Sequence, residues 1–154
     1  FNEKTPLLGW SMTKTVTAAI IGRLEHQGVL SRRDTGLFQP WQGDARKDIS
    51  VADLLGMASG LNWDEGYAAV SDVTRLLYLE PQPAAYVLDT PLDAAAGSRI
   101  GQDFNYSSGT SVVLSRCWIT VEPVASHCYR RTMSAGCLRP ILHPRDATRA
   151  ATCG

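Results

Sequence analysis

Ser11-Met12-Thr13-Lys14 sets a hydroxyl and an amine three residues apart, directly ahead of a helical pattern. After Trp10, the apolar residues Val16, Ala19, Ile20, Leu24 and Val29 recur at helical spacing. Residues i and i+3 share a helix face one turn apart, so the Lys14 amine can reach the Ser11 hydroxyl. A serine at a helix start sits at the positive end of the dipole, beside unpaired backbone N–H groups. Those groups favour the negative charge that develops when an alkoxide attacks a carbonyl. The pattern suits a covalent nucleophile with a neighbouring base. Alone, the same four residues also read as a Ser N-cap followed by an exposed lysine, because S-x-x-K is common by chance.

Two downstream segments add weight. Ile49 to Leu61 reads I-S-V-A-D-L-L-G-M-A-S-G-L. Ser50 is a good N-cap, with Asp53 at the third helical position in a variant of the capping box. Leu54, Leu55 and Ala58 form one apolar face, and Ser59-Gly60 supplies a stop. This is a short buried helix with a sharp end, and nothing in it performs chemistry. Phe104 to Leu114 reads F-N-Y-S-S-G-T-S-V-V-L. It presents a tyrosine and two hydroxyls at a turn, then starts a helix.

With these three segments in order, the chain resembles the serine β-lactamases of the class C type and the related esterases, D-aminopeptidases and 6-aminohexanoate-dimer hydrolases. That family shares the penicillin-binding-protein fold. Its S-x-x-K motif matches Ser11 to Lys14, and its LLxMxSGL signature matches Leu54 to Leu61. Its Y-x-N or Y-S-S motif matches Tyr106-Ser107-Ser108. The resemblance covers about residues 5–116. It is the order of three motifs, rather than any one of them, that makes it specific.

The resemblance implies a role for each matched residue. Ser11 would be the nucleophile that forms an acyl-enzyme. Lys14 would hold and help deprotonate it. Tyr106 would act as base toward Ser11, then as acid toward the leaving amine. Ser108 would contact substrate, standing where many class C enzymes carry an asparagine. That departure favours the esterase and amide-hydrolase branches. The chemistry is coherent, since a Tyr near pKa 10 and a Lys near 10.4 are poor bases at neutral pH. Side by side, the ammonium stabilises the phenolate and partial burial lowers the amine pKa. The implied fold is an α/β (α+β) β-lactamase/transpeptidase-like domain, of which this chain carries mostly the helical part with much of the sheet missing. No cofactor and no metal are implied.

The 154 residues suit one domain of ordinary size, and 44% apolar content is enough for a core. A net charge of zero gives no footprint for nucleic acid or an anionic membrane. No apolar run is long enough to span a bilayer. The partner that the resemblance implies is a small-molecule amide, ester or lactam. Because the chain starts with Phe1, it reads as beginning inside a longer protein, and compartment and oligomeric state stay open. Spacing predicts helices over 11–27 with Gly28 as cap, 50–58, 68–80, 82–88 and from Ser108 onward. The connections, Ser31 to Asp48 and Asp89 to Asp103, are rich in turns.

Composition changes after Arg116. Residues 117–154 hold five Arg, no Lys, two acids and all four cysteines, with His127 and His143. No C-x-x-C pair occurs among Cys117, Cys128, Cys137 and Cys153, so a zinc site has no support from spacing. The expected organisation is a partial hydrolase domain over 1–116 and an atypical tail over 117–154, foreign to the family as a frameshifted or mis-joined frame would be. The family's third motif, K-T-G or H-T-G, is not found. Losing an oxyanion donor typically costs about 10²–10³ in turnover, so this chain is expected to be weakly active or inactive. The alternative is a non-catalytic helical remnant or binding module that retains the motifs.

Overall fold

The computed structural model describes residues 2–67, 70–94 and 99–117. Five helices make up its regular structure: α1 (Thr13–His26), α2 (Val51–Leu55), α3 (Asp72–Tyr78), α4 (Pro83–Asp89) and α5 (108–117). Three 3-10 turns, Trp10–Met12, Gln39–Trp41 and Ala45–Asp48, punctuate the connections. Among the described residues there is no strand, only an isolated antiparallel bridge between Leu61 and Leu92. The expectations for Cys128, Cys137, Cys153, His127 and His143 lie outside the described residues. No helix among the described residues is long and apolar enough to cross a membrane.

The helices sit where the sequence predicts them, with ends moved by local hydrogen bonding. α1 stops one residue short of the expected end. Val29 N–H bonds back to Leu24 C=O at 3.0 Å while Gly28 takes φ +69°, a conformation that glycine adopts without strain. α3 starts at Asp72 rather than near 68, because Ser71 caps it and exchanges bonds with Thr74. α2 begins with the expected box, in which Ser50 Oγ accepts from Asp53 N–H and the Asp53 carboxylate accepts from Ser50 N–H. It ends at Leu55, earlier than the apolar pattern predicts. Ala58 N–H reaches back to Asp53 C=O at 2.8 Å, and Met57 takes φ +55°. That left-handed turn exists in a residue with a side chain, which costs free energy and needs compensation.

The compensation is tertiary. Met57 C=O accepts from Asn105 N–H at 2.8 Å, and Met57 Sδ accepts from Thr110 Oγ1 at 3.1 Å. Ala58 C=O accepts from Gly101 N–H, and Gly60 C=O accepts from Asp93 N–H. The leucine-rich signature therefore clamps the loop that leads into Tyr106.

The core gathers Trp41, Ile49, Val51, Leu54, Val73, Val87, Val113 and Leu114. Trp41 is fully buried; its Nε1–H donates to Leu88 C=O at 3.0 Å, and Phe38 meets it edge-on at 5.0 Å. Arg46 fastens the same corner, donating to Leu88 C=O and Thr90 C=O at 2.8 and 2.9 Å while pairing with Asp44. α1 lies at the edge of this core. Ile21 is its one buried residue, and Val16, one of the apolar residues at helical spacing, is exposed.

Candidate active site

Ser11 occupies the 3-10 turn Trp10–Met12 that feeds α1. Trp10 holds φ +43°, a strained value for a bulky side chain, immediately before the serine. Gly9 permits the turn, since a Cβ there would lie 2.7 Å from Thr13 Oγ1. One turn on, Lys14 Nζ lies 3.4 Å from Ser11 Oγ, as the i,i+3 spacing predicts.

The other half comes from the turn into α5. Ser107 caps that helix, its Oγ accepting from Thr110 N–H at 3.0 Å. The cap leaves Ser108 in the first turn, where its Oγ accepts from Lys14 Nζ at 3.1 Å. Tyr106, just ahead of the cap, places its ring 4.9 Å from Lys14 Nζ, within cation–π range. The structure thus brings Ser11, Lys14, Tyr106 and Ser108 together around one ammonium.

The ionisation of Tyr106 follows from these neighbours. A hydrogen bond from the Ser11 hydroxyl acts most strongly, and the hydrogen bond and charge of Lys14 act in the same sense. Together they hold the phenol below its ordinary 10.0, against partial burial and the charge of Glu65, which raise it.

Glu65 is the residue that sequence reasoning missed. Its Oε1 accepts from Ser108 Oγ at 2.5 Å, and its Oε2 accepts from Ser108 N–H at 2.8 Å and from Trp63 Nε1 at 2.6 Å. A carboxylate at the start of α5 suits the positive end of that helix. The sequence signal was slight: Glu65 stands in N-W-D-E-G, which matches none of the three motifs. Gly109 admits the arrangement, because a Cβ there would meet the Trp63 ring at 2.8 Å.

A cavity of about 340 Å³ opens beside these groups, between α1, α3 and α5. Ser11, Lys14 and Ser108 line it with Trp10, Tyr67 and Leu76. Its walls are apolar rings and alkyl chains broken by hydroxyls, with the Lys14 ammonium among them. Among the described residues no group of three His, Cys, Asp or Glu side chains is arranged to hold a metal ion.

A family model described as Beta-lactamase matches residues 1–140. The chain belongs to the β-lactamase family. The matched span contains all four site residues and Glu65, and it runs past residue 116, where the motif resemblance ends. Membership gives the chain an α/β β-lactamase-type fold, of which the described residues are the helical part, and places it among hydrolases that act on small molecules. A comparison with curated proteins gives no match.

Proposed function

We propose that this chain is a serine hydrolase unit that cleaves an amide, ester or lactam through an acyl-enzyme on Ser11. The observation that supports it best is Lys14 Nζ, which reaches the Ser11 and Ser108 hydroxyls and the Tyr106 ring at once. Ser11 Oγ attacks the carbonyl carbon while its proton passes to the Tyr106 phenolate, whose ionisation Ser11 and Lys14 favour. The Lys14 ammonium stabilises the phenolate that receives it. Tyr106 then protonates the leaving amine or alcohol, and water repeats the sequence to release the acid. Ser108 holds Lys14 in place at the cavity wall. All residues of this scheme lie within 1–116.

The test is covalent labelling of the 154-residue chain with a fluorophosphonate, an activated ester and a β-lactam, followed by peptide mapping. Labelling at Ser11, lost in Ser11→Ala, is the expected result. Labelling that survives Ser11→Ala removes Ser11 from the scheme. A second reading, a non-catalytic binding module, is favoured by one observation: Leu7, Leu8, Trp10 and Met12, around the serine, are all exposed, so little shields the site from water. No labelling by any of the three probes would favour that reading.

A further inference from the structure

We propose that Glu65 is a positioning residue for Lys14, acting through the Ser108 hydroxyl; the proposal rests on Ser11 and Lys14 forming the acyl-transfer pair described above. A serine hydroxyl has one proton and two lone pairs. Ser108 gives that proton to Glu65 Oε1 at 2.5 Å, so only lone pairs remain to face Lys14 Nζ at 3.1 Å. An asparagine at this position would offer a carbonyl oxygen whose polarity is built in. A hydroxyl can rotate, and its polarity must be set from outside. Glu65 sets it.

The carboxylate is itself well held. The Ser108 amide and the Trp63 indole both donate to Oε2. Trp63 is buried, lies against Gly109, and has its own C=O fixed by Asn105 Nδ2 at 3.1 Å. A buried indole, the start of α5 and the residue before Tyr106 therefore all fix the place of one carboxylate. Its charge also reaches Tyr106 and Tyr67, and in both cases it disfavours the phenolate. Glu65 thus opposes ionisation of the tyrosines by its charge, so any help it gives acylation comes through the order it imposes on Lys14. It touches neither Ser11 nor the reacting carbonyl, so it is not a catalytic residue.

Two measurements on the 154-residue chain test the assignment. The first is proton–nitrogen NMR of the lysine ammonium groups, which is tractable because the chain has only Lys4, Lys14 and Lys47. An ammonium held by ordered acceptors exchanges its protons slowly and gives a cross-peak, assigned by its loss in Lys14→Ala. Glu65→Gln and Ser108→Ala should each displace or erase that peak. Ser108→Ala keeps the Trp63 and backbone contacts of Glu65, so it serves if Glu65→Gln fails to fold. The second is the rate of fluorophosphonate acylation. Glu65→Gln should slow it about tenfold in the native background but no more than about twofold in a Ser108→Ala background, because residues acting through one another are not additive. A merely structural Glu65 would cost the same in both. No Lys14 cross-peak in the unmutated chain, a peak unmoved by Glu65→Gln, or equal losses in the two backgrounds each overturn the proposal. Labelling that survives Ser11→Ala overturns the acyl-enzyme scheme instead, so the two failures are distinguishable.

Discussion

Lys14 Nζ lies 3.1 Å from Ser108 Oγ across a sequence separation of 94 residues. This contact ties the first turn of α1 to the first turn of α5. It lets two helix starts share one ammonium, so neither motif is complete without the other.

That sharing fixes how the acid–base pair responds to mutation. Lys14→Ala and Tyr106→Phe should each slow acylation by about 10²–10⁴, the range for a positioned proton-transfer group. The double variant should be much less than multiplicatively worse, because the phenolate depends on the ammonium that accompanies it. Rapid-quench acylation of the four variants checks this, and multiplicative losses would show two independent groups.

A pH dependence follows from the Tyr106 shift. Its folded value lies below 10.0, with the Ser11 hydrogen bond as the leading cause. For an acid depressed on folding, the associated stability is complete above the unfolded value and is lost as pH falls through the folded one. The window therefore opens at 10.0 and runs down through the folded value. Phenolate absorbance, taken as the difference between the unmutated chain and Tyr106→Phe, should rise below pH 10.0. Ser11→Ala and Lys14→Ala should each move the midpoint up, and Glu65→Gln should move it down.

Much of this was legible in the sequence, for identifiable reasons. The helix start at Ser50 announces itself through short-range capping, and S-x-x-K encodes its own geometry through the helix repeat. Glu65 was not legible, because its bonds to Ser108 cross 43 residues and no local pattern marks a loop carboxylate as a partner. The end of α2 was misread for a similar reason. Ser59-Gly60 looks like the stop, but the left-handed residue is Met57, held there by Asn105 and Thr110 from distant sequence. The exposure of Val16 was equally invisible, since periodicity marks an apolar face without saying what covers it.

Met57 and Gly109 give a test of the scaffold behind the site. Met57→Ile places a β-branched side chain at φ +55° and removes the sulfur that accepts from Thr110. A loss of about 1–3 kcal/mol is expected from strain of this kind. Gly109→Ala drives a methyl against the Trp63 ring and should cost about 1–3 kcal/mol as overpacking. The two variants should part at the site. Met57→Ile should disturb Tyr106 through Asn105, whereas Gly109→Ala should disturb Ser108 through Trp63 and Glu65. Denaturant unfolding reads the first effect, and the Tyr106 absorbance titration and lysine NMR read the second.

The last expectation concerns how firmly α1 is docked. Its one buried side chain is Ile21, at 1% exposure, while Val16 is 57% exposed. Amphipathic helices owe most of their stability to a buried face, and this one buries little. Segments with few buried contacts open locally below the global unfolding free energy. Amides of α1 should therefore exchange faster than those around Val73, Val87 and Val113, which are fully buried. Ile21→Ala removes the main anchor. In a cooperative core, such a change typically costs about 2–5 kcal/mol. Here the loss should be capped at the docking free energy of α1, with exchange rising in α1 and hardly changing around Trp41 and Val73. Ser11 labelling should fall in parallel, because undocking separates Lys14 from Ser108 while leaving Ser11 and Lys14 one turn apart. Hydrogen-exchange mass spectrometry with the labelling assay decides it. Uniform acceleration across all helices would mean that α1 and the core unfold as one unit.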